Sequence, residues 1–213
     1  MNWKSICILM ILAFVFNSTY AINFDEFTII VDQLDEDISE ITYLIVLSNN
    51  GQETINLVLA KEPEGLNVYD KEDSTNIEHE LLGSNLSINV DFKESEQKTI
   101  VIKTFIQNLE KTKDDEQILT LKQDIPKNVS KFEFIIHLPE GAIVSDVEDS
   151  SLIFPEPTNI LSDGKRIIFD WSVEKPDKSF EVFLDYTIVK SNENTNYLIP
   201  ISLIFTITII SAI

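Results

Sequence analysis

The sequence predicts an all-β fold: two tandem antiparallel β-sandwiches followed by a C-terminal transmembrane helix. Three observations carry this expectation. Val, Ile, Phe and Thr recur in short runs of period-two alternation, bounded by Gly, Pro, Asn and Asp. The only cysteine is Cys7, close to the N-terminus, so an apolar core rather than disulfides has to hold the rest of the chain. The stretch 197–213 contains no charged residue.

The two ends frame the chain. Lys4 precedes an apolar run at 6–16, and residues 17–21 turn polar and end in the small residue Ala21. This is the layout of a secretory signal peptide cleaved after Ala21, with an uncleaved anchor as the alternative. Cys7 lies inside the apolar run with no Leu-Ala-Gly before it, which argues against lipoprotein processing. As a helix, residues 197–213 would extend roughly 25 Å, just short of a hydrocarbon core of about 30 Å. A core helix would show a polar stripe, whereas this stretch offers only Ser and Thr. Two fates stay open for it, a retained spanning helix or a processed lipid-anchor signal. The retained helix is the expectation, because a polar spacer of about five residues is shorter than the usual 8–12. The expected organisation is a signal peptide (1–21), a first sandwich (22–107), a second sandwich (108–190), a stalk (191–196) and a membrane helix (197–213). The localisation that follows is single-pass in the cell membrane, with the bulk of the chain extracytoplasmic.

Within the first unit, Phe27, Ile29 and Val31 alternate with polar neighbours and predict a strand, closed by an acidic turn at 34–37. Residues 41–47 are mostly apolar and predict a central strand. Ser48-Asn49-Asn50-Gly51 predicts a type I′ hairpin, because both central residues of that turn need positive φ. The return strand is 54–60, with Ile55, Leu57 and Leu59 on one face. Pro63-Glu64-Gly65 breaks the ladder before a short strand at 66–69, and 77–82 is ambiguous between strand and helical turn. Leu86, Ile88, Val90 and Phe92 alternate cleanly. A polar turn at 93–97 and the alternating Ile100 and Ile102 close the unit near Phe105 or Ile106.

A charged linker, 108–116, leads to the second unit. Strands are predicted at 118–122 and 131–138, followed by Pro139-Glu140-Gly141. Pro155-Glu156-Pro157 marks a loop that cannot join a central ladder. Asp163-Gly164 predicts a hairpin into a strand at 166–173, and 180–189 is the last strand. The halves share an order of phrases: strand, Pro-Glu-Gly, long loop, glycine turn, alternating strand, polar turn, alternating strand. That order predicts an internal duplication.

The phrases Leu138-Pro139-Glu140-Gly141-Ala142 and 162–171 (SDGKRIIFDW) resemble the membrane-proximal sandwich of archaeal surface proteins. Those proteins run signal peptide, β-sandwich modules and C-terminal membrane helix. The resemblance extends to the ectodomains of archaeal membrane-bound winged-helix regulators, although no cytoplasmic DNA-binding module is seen after Ile213. A more remote likeness is to ribophorin-like subunits of oligosaccharyltransferase. The resemblance implies a tethered ectodomain and carries no catalytic residue.

Composition narrows the partners. Asp plus Glu number 36 against 16 Lys plus Arg, a net charge of −20, and Lys4 would leave with the signal. Nucleic acid is excluded as a partner, and adhesion to anionic headgroups is disfavoured. Acidity suits a solvated outer face or diffuse binding of divalent cations. His79 and His137 are the only histidines, and no HExxH, cysteine pair, Gly-x-Ser-x-Gly, P-loop or GxGxxG occurs. No enzyme and no cofactor is therefore expected. The weak metal candidates are the acidic turns Asp35, Glu36, Asp37 and Asp146, Glu148, Asp149, since calcium takes six to eight oxygens and turn carboxylates can supply them. Asn85 and Asn128 head N-glycosylation sequons. The expected function is non-catalytic interaction with a protein partner or the cell envelope. The alternative is a sensor or accessory subunit of a membrane complex in transport, signalling or glycosylation.

Overall fold

The described residues form thirteen strands, most of them built on alternating apolar side chains, and no helix. In a computed structural model the residues described are 22–34, 38–107, 110–111, 116–144 and 153–188. In chain order the strands are β1 (Asn23–Gln33), β2 (Ile38–Val58), β3 (Gly65–Asp70), β4 (His79–Leu82), β5 (Asn85–Gln107), β6 (Glu110–Lys111), β7 (Glu116–Asp124), β8 (Val129–His137), β9 (Ala142–Ile143), β10 (Ile153–Phe154), β11 (Asn159–Ser162), β12 (Ile167–Glu174) and β13 (Ser179–Ile188). The fold class is all-β, as the alternation predicts. The stretch expected to cross a membrane lies outside the described residues, and no described helix is long and apolar enough to do so.

The pairing departs from two tandem antiparallel sandwiches. One eight-stranded sheet runs β11-β12-β8-β1-β2-β5-β3, with β4 also paired to β5. A five-stranded sheet runs β10-β13-β7-β6, with β9 paired to β13. Strand β1 lies between β2, its antiparallel neighbour, and β8, to which it is parallel from Phe24↔Val129 to Asp32↔His137. The large sheet therefore does not divide at residue 107: it takes strands from both halves of the chain. The physical reason lies in Phe27, Ile29 and Val31 on one strand and Phe132, Phe134 and Ile136 on the other. They present matching apolar faces, and adjacency in the ladder buries both sets at once.

Two expected turns are not turns. Asn49 and Gly51 fall inside the continuous strand β2, opposite Glu96 and Phe92 of β5, where the register shifts. The polar stretch expected as a turn at 93–97 lies directly across from them, inside β5. Turn-prone residues on both strands of one ladder have formed a bulge, which accommodates extra residues and bends the pair without ending it. The hairpin glycines are Gly83, between the paired Leu82 and Asn85, and Gly164, between β11 and β12; both have positive φ, 61° and 90°. The ambiguous segment 77–82 resolves as the short strand β4.

The same pairing corrects the expected tandem repeat. Its first copy ends in a single strand, β5, whereas the corresponding phrases of the second copy form β12 and β13 in different sheets. The two Pro-Glu-Gly phrases differ too. Gly141 sits in a turn at φ 83°, whereas Gly65 opens β3.

The core lies between the sheets. Phe180 of β13 packs on Phe132 and Phe134 of β8 at ring-centroid distances of 5.3 and 5.4 Å, and on Trp171 of β12 at 6.2 Å. Phe27 extends the cluster to Tyr43 at 6.2 Å and Phe132 at 5.9 Å. Such pairs contribute about 0.5–1.5 kcal/mol each beyond area burial. Trp171 is a core residue, as the alternation implies, and its indole N–H donates to the Pro155 carbonyl at 2.9 Å. A polar link also crosses the sheets: the Gln123 side-chain amide donates to the Val58 carbonyl at 2.6 Å.

Two predictions follow from this packing. Residues 22–107 alone lack β8, β12 and β13, so they should show no cooperative unfolding, while 22–196 should unfold in one transition; a cooperative transition in the shorter piece contradicts the shared sheet. The second concerns Tyr43, whose hydroxyl accepts from the Ala60 N–H at 3.1 Å and is pushed up to about 12 by burial. The folded protein holds that proton where the unfolded chain releases it near 10. Its stabilising effect is therefore complete below pH 10 and lost as pH rises toward 12. Urea midpoints across this range should fall less in Tyr43→Phe than in the parent; equal slopes contradict the assignment.

Candidate functional site

Alternation gives the large sheet two faces. The face away from the core carries Glu26, Asp32, Glu40, Lys103, Lys131, Glu133 and His137, tied into ion pairs. Lys131 meets Glu26 at 3.0 Å and also Glu133. Hydrogen bonds, first to Glu133 and then to Glu26, hold its ammonium well above the ordinary lysine value. Lys103 donates to Glu40 at 2.9 Å, and that bond raises its pKa.

The densest cluster on this face is at its lower end, taken as the end where β1 and β8 finish. Asp32 and His137 are cross-strand partners in the parallel ladder, and His137 Nδ1 is 2.6 Å from Asp32 Oδ1. Arg166 Nη1 approaches the same oxygen at 3.4 Å, and Arg166 Nε donates to Asp163 at 3.2 Å. Asp163 also accepts the backbone N–H groups of Arg166 and Lys165 at 2.7 and 2.9 Å. Its carboxyl is held down at about 2, first by the Arg166 backbone N–H and then by that of Lys165. The sequence places His137 in the strand predicted at 131–138 and names no partner for it. Its partner lies 105 positions away, and only the parallel pairing of β1 with β8 brings the two together.

A second feature lies at the upper end. The β7–β8 and β12–β13 turns are tied by Ile125 N–H to Lys178 O at 2.8 Å and by Lys175 N–H to Ser130 O at 3.1 Å. Between them runs a groove of about 300 Å³, lined by Pro126, Pro176, Asn128, the three lysines Lys127, Lys175 and Lys178 and one carboxylate, Asp177, among others. Asn128 and Lys175 adopt left-handed φ of 64° and 52°, which turns both chains sharply there. In a chain of net charge −20, three lysines against one carboxylate at one groove form a local exception.

The metal candidates Asp35, Glu36, Asp37, Asp146, Glu148 and Asp149 lie outside the described residues. Among the described residues no group of three or more His, Cys, Asp or Glu side chains is placed to hold a metal ion. The acidic turn after β3 has a local task. Asp70 is buried, pairs with Lys98 at 3.5 Å and accepts the Glu72 N–H at 3.0 Å. Asp73 accepts the Thr75 hydroxyl at 2.6 Å and its N–H at 2.9 Å, which lowers its pKa. Both sequon asparagines are exposed: Asn128 in the groove turn and Asn85 at the start of β5. Ser87 of the second sequon donates its hydroxyl to Asn56 at 2.7 Å.

No protein-family model matches the chain, and no curated protein matches it in sequence. Among solved structures, similar ones include an M1 zinc metallopeptidase from Deinococcus radiodurans, at 8% identity and TM-score 0.45. The same peptidase bound to a Tyr-Ser-Ala substrate aligns at 9% identity and TM-score 0.46. Each alignment covers 78% of this chain and 42% of the peptidase, so the chain spans less than half the length of those proteins.

The lower cluster allows a direct test. Asp32, His137 and Arg166 are partly exposed, and pairs of this kind contribute up to about 1 kcal/mol. Asp32→Asn should therefore lower stability by roughly that amount in urea titration at neutral pH. A loss above about 3 kcal/mol is the range of a broken buried pair and would contradict a solvated cluster.

Proposed function

We propose that this chain is a membrane-anchored, extracytoplasmic β protein that acts by binding and is not catalytic. Its partner is a protein or a component of the cell envelope. The observation that carries the reading is the course of β13. This strand starts at Ser179, beside the lysine-bearing groove, and ends at Ile188, from which the chain continues toward the apolar stretch 197–213. At about 3.3 Å per residue, groove and exit lie roughly 30 Å apart, so a tethered domain would hold the groove away from the membrane. Proline rings flanking lysine side chains suit a ligand with both apolar and anionic parts. The signal-like N-terminus and the apolar C-terminal stretch support the topology.

Fractionation tests this reading. The protein should sediment with membranes, and protease added to intact cells should digest it. Recovery in the soluble fraction, or full protection from protease in intact cells, would contradict it.

A further inference from the structure

The end of the sandwich at which β13 finishes is ringed by exposed apolar side chains. Ile143 of β9, whose strand pairs with the last residues of β13, is 46% exposed. Phe105 lies in the cross-strand row that runs from His137 through Asp32 and Glu40, and is 43% exposed. Leu34 and Ile38, where β1 hands over to β2, are 54% and 39% exposed, and Leu161 of β11 is exposed one strand beyond Ile168 at the same level. Lys165, 73% exposed, projects from the turn beside them. Other exposed apolar residues lie on the flanks, such as Phe154 and Phe183.

The position of the chain exit decides what this end faces. Ile188 pairs with Ala142, so the chain leaves the fold beside Ile143. Eight residues, 189–196, precede the apolar stretch, and fully extended they reach at most about 29 Å. The opposite end, at the lysine-bearing groove, lies roughly 30 Å back along β13, at the limit of that reach. We propose that the Leu34, Ile38, Phe105 and Ile143 end is a lipid-contact surface. It would rest on the headgroup region of the membrane that anchors the chain and fix the tilt of the domain. The inference rests on the anchor reading above. The neighbouring carboxylates Asp32, Glu40, Glu140 and Asp163 select a zwitterionic surface over an anionic one. Side chains of this size enter the boundary between headgroups and acyl chains, as an interfacial element does.

The test uses the full chain in phosphatidylcholine vesicles, with Cys7→Ser removing the native thiol. An environment-sensitive fluorophore is attached at Ile143→Cys, Phe105→Cys or, at the groove end, Lys127→Cys, and spin-labelled lipid is the quencher. Quenching at 143 and 105 should exceed that at 127 by about twofold or more, as for groups seated in the headgroup layer. Use of two sites guards against one variant failing to fold. Failure of the chain to float with the vesicles overturns the anchor reading and the inference together. Flotation with quenching at 143 and 105 no greater than at 127 overturns the inference alone, and shows that this end faces water or a protein.

Discussion

Strand β1 is gripped on one side by its sequence neighbour β2 and on the other, in parallel, by β8 from the far half of the chain. The rest of the architecture depends on that second ladder. Antiparallel neighbours can be supplied by a short connection, but a parallel neighbour needs a long crossover. Here the crossover is everything from β2 to β7, and it carries β2, β3, β4 and β5 of the large sheet and β6 and β7 of the small one. The small sheet then has a defined place. Phe180 can sit among Phe132, Phe134 and Trp171 only because β8 and β12 continue the sheet that β1 begins.

Polar chemistry follows from the same ladder. Alternation sends Phe27, Ile29 and Val31 inward and leaves Asp32 outward; in β8 it sends Phe132, Phe134 and Ile136 inward and His137 outward. The Asp32–His137–Arg166 cluster is thus a product of register, and a slip of one residue would exchange its carboxylate for a buried position. The same argument separates the two ends of the molecule. The turns that join β7 to β8 and β12 to β13 meet at the lysine-bearing groove, and the ends of β1, β8 and β13 meet beside the chain exit.

Local physics was legible in the sequence, and long-range pairing was not. The alternation of Leu86, Ile88, Val90 and Phe92 is a property of neighbours, and so is the glycine turn at Gly164; both are found where expected. Asn49-Asn50-Gly51 carries the same local signature as a hairpin turn. Its outcome depends on β5, whose own polar stretch lies across from it and lets both strands continue through a bulge. The apparent duplication failed for a related reason: shared turn phrases do not determine which sheet a strand joins. His137 and Asp32 could not be linked in advance because nothing local to either residue names the other.

The central claim is that both halves of the chain share one sheet through β1 and β8. Native-state amide hydrogen exchange on residues 22–196 tests it most directly. The account predicts that the ladder amides of 27–31 and 132–136 exchange with one common opening free energy, equal to that of global unfolding. Separate opening energies for the two groups, with either able to open while the other stays protected, would contradict it.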